Sequence, residues 1–128
     1  MAGFINGESA TFISAGDYSA TPYRIVHVTG ADTVTRSTDA DGAGQWPLGV
    51  LTDEVGAASG DAVTVQLSGI AKIEAGAAVA AGASITTDSA GRGVATTTAG
   101  DFCIGIALQA AGGAGEVIPV AITAFVFA

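Results

Sequence analysis

Apolar and polar positions along this chain alternate in short runs, broken every few residues by Gly, Asp, Asn or Ser. Side chains of a strand point to opposite faces with a period of two, so such runs predict strands joined by tight turns. YRIVHV, residues 23–28, reads as the first strand, with Tyr23, Ile25 and His27 on one face. TVTRST, residues 33–38, follows as a strand of β-branched residues and ends in the turn DADGAG.

Two stretches are variations on one theme. LGVLTDEVGAASGDAVTVQL, residues 48–67, places Gly49 in an apolar opening, a turn at Gly60 and Asp61, and then Val63, Val65 and Leu67 in alternation. IGIALQAAGGAGEVIPVAI, residues 104–122, repeats the order with Gly105, Gly115, Glu116, Ile118, Val120 and Ile122. Each reads as strand, loop, strand, with glycines fixing the turns. Between them, short strands are predicted at Ile70 to Glu74, Ser84 to Thr87 and Gly93 to Thr97, with a turn at Asp88-Ser89-Ala90-Gly91. A one-turn helix near Ala77 to Ala81 stays open, although Gly76 and Gly82 each cost about 1 kcal/mol inside a helix.

The last strand, VIPVAITAFVF, is apolar on both sides. Strict alternation puts Ile118, Val120, Ile122 and Val126 on one face and Val117, Ala121, Phe125 and Phe127 on the other. A strand with two apolar faces is buried between subunits or wholly within one. Pro119 has no N–H to donate, which predicts an edge or a bulge. Residues 1–22 differ, since Phe4, Ile5, Phe12 and Ile13 are isolated apolar residues among Gly, Ser, Asn and Thr. They read as an extended N-terminal arm, with Pro22 marking the boundary to a β domain at 23–128. The predicted class is all-β, a small β-barrel or β-sandwich.

At 128 residues the chain makes one domain. A net charge of −8 with only four Lys and Arg argues against nucleic acid as a partner, because phosphate binding requires cations. No apolar run approaches the roughly 20 residues of a membrane-spanning helix, and no secretory leader is visible at MAGFINGESATF. Charged residues are 12% of the chain, about half the usual fraction, while 49% are apolar. So uncharged a surface predicts cover by another chain.

The candidate chemistry is thin. His27 is the sole histidine, and Asp32, Asp101 and Cys103 are the groups that could join it in a nucleophilic site. No G-x-S-x-G elbow accompanies them. Asp39, Asp41 and Gly42 open like a calcium loop, but Val50 stands where the closing Glu belongs. One His and one Cys do not make a zinc site. Asp53-Glu54 beside Gly56 reads as a solvated loop, AGGAG at 111–115 precedes a strand rather than a helix, and Trp46 reads as a packing residue. No catalytic, cofactor or metal site is predicted.

From about Tyr23 to Thr123 the order of segments resembles the capsid cement, or head decoration, proteins of tailed bacteriophages. The resemblance is carried by YRIVHV, an acidic loop, PLGVLTD, SGDAVTVQLSGIAKIEAG, AAGASITTDSAGRGVAT and FCIGIALQAAGGAGEVIPVAI. It implies a β-tulip-like domain and a structural role, not an enzyme. The protein would bind the major capsid protein on the outer surface of an expanded head, commonly as a homotrimer, and strengthen it against internal DNA pressure. It would pass from the host cytoplasm during assembly to the virion. On this resemblance Phe4, Ile5, Phe12 and Ile13 are the expected capsid anchors, in an arm removable without unfolding the domain. Val117, Ile118, Phe125 and Phe127 are the expected subunit interface, and Gly49, Gly60, Gly105 and Gly115 fix turns. The alternatives are a surface- or carbohydrate-binding β module, such as a head-fibre base or adhesin, and a small enzyme domain. The first calls for aromatics converging on a groove, yet only 6% of residues are aromatic.

Overall fold

The computed structural model describes residues 8–18, 20–42, 44–52 and 59–128, together with the backbone of residues 5–6. Among them lie eleven strands and no helix: β1 (Ile5–Asn6), β2 (Ser9–Ser14), β3 (Ile25–Gly30), β4 (Thr33–Arg36), β5 (Gly49–Leu51), β6 (Ala62–Gln66), β7 (Gly69–Glu74), β8 (Ser84–Thr87), β9 (Gly93–Ala95), β10 (Phe102–Ala107) and β11 (Val117–Val126). Five close into a barrel in the order β2-β4-β3-β5-β6, and six form a sheet in the order β1-β7-β11-β10-β8-β9. The fold is all-β, as the alternation requires. A parallel bridge from Ala75 to Gly93 carries β9 back to the end of β7, so the sheet curls and its far edge is short and partly paired.

Alternation along β3 and β5 serves two cores at once. Val26 and Leu51 point into the barrel with Tyr18, Val34, Val63 and Val65. Their neighbours Ile25 and Val50, paired across the strands, point outward and pack with Ile73, Ile85, Ile104, Ile118 and Val120 of the sheet. The consecutive apolar pairs Ile25-Val26 and Val50-Leu51 are therefore the sequence signature of strands lying between two layers. Arg24 pins the same junction: its guanidinium donates to Glu74 Oε2 (3.1 Å) on β7 and to the Ala90 carbonyl (2.9 Å) in the β8–β9 turn.

The sequence repeat becomes a repeat of hairpins, β5–β6 and β10–β11. Gly60 and Gly115 do occupy turns, with φ of +90° and +93°. Gly49 and Gly105 act differently from expectation. A Cβ on Gly49 would lie 2.3 Å from the Gln66 carbonyl oxygen, and one on Gly105 would lie 1.8 Å from that of Ala121. Both mark places where the partner strand's backbone occupies the space of a side chain, rather than turns.

Three other expectations change. Residues 9–14 are a barrel strand, β2, antiparallel to β6 from Ser9↔Gln66 to Ile13↔Ala62 and parallel to β4 at Ile13↔Thr33. Its period-two pattern is carried inward by Ala10, Phe12 and Ser14, two of them too small to register as a strand face. Tyr18 is likewise in the barrel core and its hydroxyl accepts the Arg36 N–H, so the expected boundary at Pro22 does not divide an arm from the domain. Pro119 lies within β11, flanked by β7 and β10, not at an edge. Its carbonyl accepts from Leu108 N (3.0 Å), one residue beyond β10, so its missing N–H falls where that ladder runs out. Around Ala77 to Ala81 the chain is extended or turning, and Val79 bridges Ala111.

Two outcomes follow. Removal of residues 1–14 is expected to strip β4 and β6 of a neighbour and uncover Val63 and Val65. The truncated chain should lose its cooperative unfolding transition, measured by circular dichroism in urea; a sharp transition would contradict the assignment of β2. Gly105→Ala is expected to cost about 3 kcal/mol or more through backbone overlap. Gly60→Ala, with no atom within 4 Å of the added Cβ, should cost only about 1 kcal/mol of left-handed strain.

Candidate functional site

The groups with chemical potential are tied up separately. His27 Nδ1 lies 3.0 Å from Ser37 Oγ, and both residues are buried. Its partner is therefore not Asp32, Asp101 or Cys103. Burial pushes the His27 pKa below its ordinary value. Asp101 accepts a short hydrogen bond from Thr96 Oγ1, and Cys103 Sγ is 3.9 Å from the Asp101 carbonyl. Burial, reinforced by the Asp101 charge, raises the thiol pKa, so Cys103 is held as an unreactive thiol. Among the described residues no group of three or more His, Cys, Asp or Glu is arranged to hold a metal. Asp53-Glu54 lie outside the described residues.

The loop joining β4 to β5 is built by Gln45. Its Oε1 accepts from Thr38 N (2.9 Å) and Asp39 N (3.0 Å), while its Nε2 donates to Thr38 Oγ1 (3.1 Å). Asp41 N donates to Asp39 Oδ1. Hydrogen bonding and repulsion from Asp39 raise the pKa of the Asp41 carboxyl, with smaller contributions from desolvation and Asp101.

The predicted contact residues are not brought together. Phe4 lies outside the described residues, and Ile5 is seen through its backbone, paired with Ile70 on the sheet edge. Phe12 packs on the barrel core, whereas Ile13 is exposed. Ile118 is only 5% exposed and belongs to the sheet core, which removes it from any subunit interface in this fold. Val117 is exposed, and Phe125 and Phe127 are half-buried.

Strict alternation fails in β11 because of a bulge. The step from Cys103 to Gly105 on β10 is matched by the longer step from Phe125 to Ile122 on β11. Beyond that step Val126 is exposed, while Phe125 and Phe127 are half-buried. The outer side of the sheet then carries Val117, Pro119 and Ala121, with Ile70 and Ile106 paired beside Ala121.

An apolar concavity of about 400 Å³, open to solvent, is lined by Val28, Gly44, Trp46, Pro47, Leu48 and Ala124. Trp46 is 46% exposed and Val28 48%, unusually high for large apolar residues. The Trp46 ring rests on Phe102 at 5.2 Å with the planes tilted by 60°, and Phe102 N donates to Ala40 O (2.7 Å), which docks the loop on the sheet. Val28, Phe102 and Ala124 were not among the sequence candidates. Only Trp46-Pro47 in a loop gave a signal for this place. A second, smaller hollow between the layers is lined by Tyr23, Val50, Leu51, Thr52, Gln66, Ala71 and Lys72. His27 and Ser37 line neither.

Cations do little to offset the acidic surface. Arg24 is paired with Glu74, Arg92 with Asp88, and Arg36 lies over the Tyr18 ring.

Comparison with known proteins gives three findings. A family model described as phage cement protein matches residues 8–122. A solved structure, the head fiber gp8.5 N base in bacteriophage phi29, is similar with a TM-score of 0.69 and 20% identity, covering 91% of this chain and 93% of that one. At that identity the likeness establishes the fold. No curated protein matches.

The His27 environment generates a pH dependence. The folded state holds the neutral ring, so between its lowered pKa and the ordinary 6.5 the unfolded chain binds more protons. This contribution is complete above pH 6.5 and is lost as pH falls through that window. Urea midpoints compared at pH 7 and pH 5 should fall more for the wild type than for His27→Gln; equal falls would contradict the assignment.

Proposed function

The chain belongs to the phage cement protein family, structural components of the phage capsid, and on that premise we propose that it coats the outer surface of an expanded head. There it binds the major capsid protein as a homotrimer and stabilises the shell against the pressure of packaged DNA. It joins the head in the host cytoplasm during assembly and remains in the virion. The observation that carries this reading is the family match over residues 8–122, which spans the barrel and the sheet together.

Physical features support it. An acidic, cation-poor protein is not drawn to packaged DNA, which suits an external position. The outer sheet side around Val117, Pro119 and Ala121 supplies apolar surface for contact between subunits, in place of the interface expected around Ile118. Ile13, exposed on the barrel, is the surviving described candidate among the N-terminal capsid anchors. Binding only the assembled shell stabilises it by mass action, and three linked protomers multiply modest contacts.

A second reading, the base of a head fibre, draws on the fold likeness to the phi29 head fiber N base. The two separate experimentally. Mass in solution should correspond to three chains, and co-sedimentation should favour expanded over unexpanded heads. Equal indifference to both head forms would end the cementing reading. Heads coated at only a few positions per particle would favour the fibre base.

A further inference from the structure

We propose that the Trp46 concavity is the surface seated on the shell, and that its occupant is an apolar side chain of the capsid subunit flanked by Lys or Arg. The inference rests on the cementing reading and deepens it by naming the face and the chemistry it recognises.

Four observations carry it. Trp46 and Val28 remain nearly half exposed and line one concavity together, so covering them removes apolar surface from water at little cost to the fold. The site is held in shape before binding: Phe102 supports the Trp46 ring, Gln45 braces the loop, and the Phe102 N–H to Ala40 carbonyl bond fastens that loop to β10. Preorganisation of this kind lowers the ordering cost of association. The concavity is open to solvent and, at about 400 Å³, has room for one or two protruding side chains.

The fourth observation is charge. The loop that lines the concavity from Gly44 to Leu48 also carries Asp39 and Asp41, which flank the Ala40 carbonyl bonded to the N–H of Phe102, the residue that supports the Trp46 ring, and no Lys or Arg lines the site. A partner bringing cations meets those carboxylates. A second copy of this chain would oppose one acidic loop to another on molecules of net charge −8. Charge complementarity therefore selects a cation-flanked partner over self-association at this face.

The test is co-sedimentation of the full chain with expanded heads across a salt series. Wild-type binding should weaken as salt rises. Val28→Asp and Trp46→Ala should each weaken binding about tenfold or more. Asp39→Asn with Asp41→Asn should weaken binding and flatten the salt dependence. Val28 is exposed, so Val28→Asp should keep the wild-type unfolding midpoint and remain informative even if Trp46→Ala unfolds. Wild-type protein that binds while Val28→Asp binds equally well overturns this assignment and leaves cementing intact. Variants that keep head affinity but fall apart into single chains would show the face to be a subunit contact, overturning it also. Wild-type protein that ignores heads overturns both readings.

Discussion

The fold depends on residues 25–27 of β3 and 49–51 of β5 having no solvent side. A sheet must bury one face, and here the barrel supplies the cover for the six-stranded sheet through Ile25 and Val50 while keeping Val26 and Leu51 for itself. Burial of each such side chain contributes about 1.5–3 kcal/mol, so the sheet core loses the share that Ile25 and Val50 supply if the barrel is removed. Arg24 fixes how the layers meet. Its bonds to Glu74 and to the Ala90 carbonyl join β3 to two separate parts of the sheet, and the side chain is largely withdrawn from water. A buried pair of this sort adds little net stability but strongly penalises arrangements that break it. The main-chain bond from Ile25 N to the Gly91 carbonyl (2.8 Å) lies at the same corner.

That rigidity bears on function. The Trp46 concavity draws Val28 from the barrel, Trp46 from a connecting loop and Ala124 from the sheet. Its shape survives only while the two layers keep their relation. A protein whose work is to hold other molecules in place gains from such a body, because energy released at the contact is not spent on ordering the binder. The same economy appears in its charge: Arg24, Arg36 and Arg92 are engaged within the chain, on a molecule of net charge −8.

Much of the fold was legible in the sequence because large apolar residues marked it. The strands at 25–30, 49–51, 62–66, 69–74 and 117–126 follow stretches rich in Ile, Val and Leu, and the Gly-centred repeat announced two hairpins. What was not legible has physical reasons. β2 turns Ala10 and Ser14 inward, residues whose size hides their side. The register shift between Cys103 and Gly105 interrupts the pairing of β11 between Ile122 and Phe125, an event of pairing geometry that no local pattern records. The surface around Trp46 assembles from residues 28, 46 and 124, and nothing in their separations brings them together before the chain folds. The His27–Ser37 pair had no motif to announce it, being a cross-strand neighbourhood created by β3 and β4.

The missing side chain at Gly105 also sets a limit on how β10 and β11 can assemble. Should β11 slide so that Cys103 or Ala107 met the Ala121 carbonyl, a methylene or methyl carbon would enter a space that admits only hydrogen. Gly49 imposes the same veto on β5 against β6. Each hairpin thus carries a steric detent that rejects misaligned partners during folding, including strands offered by neighbouring copies in a crowded, many-subunit particle.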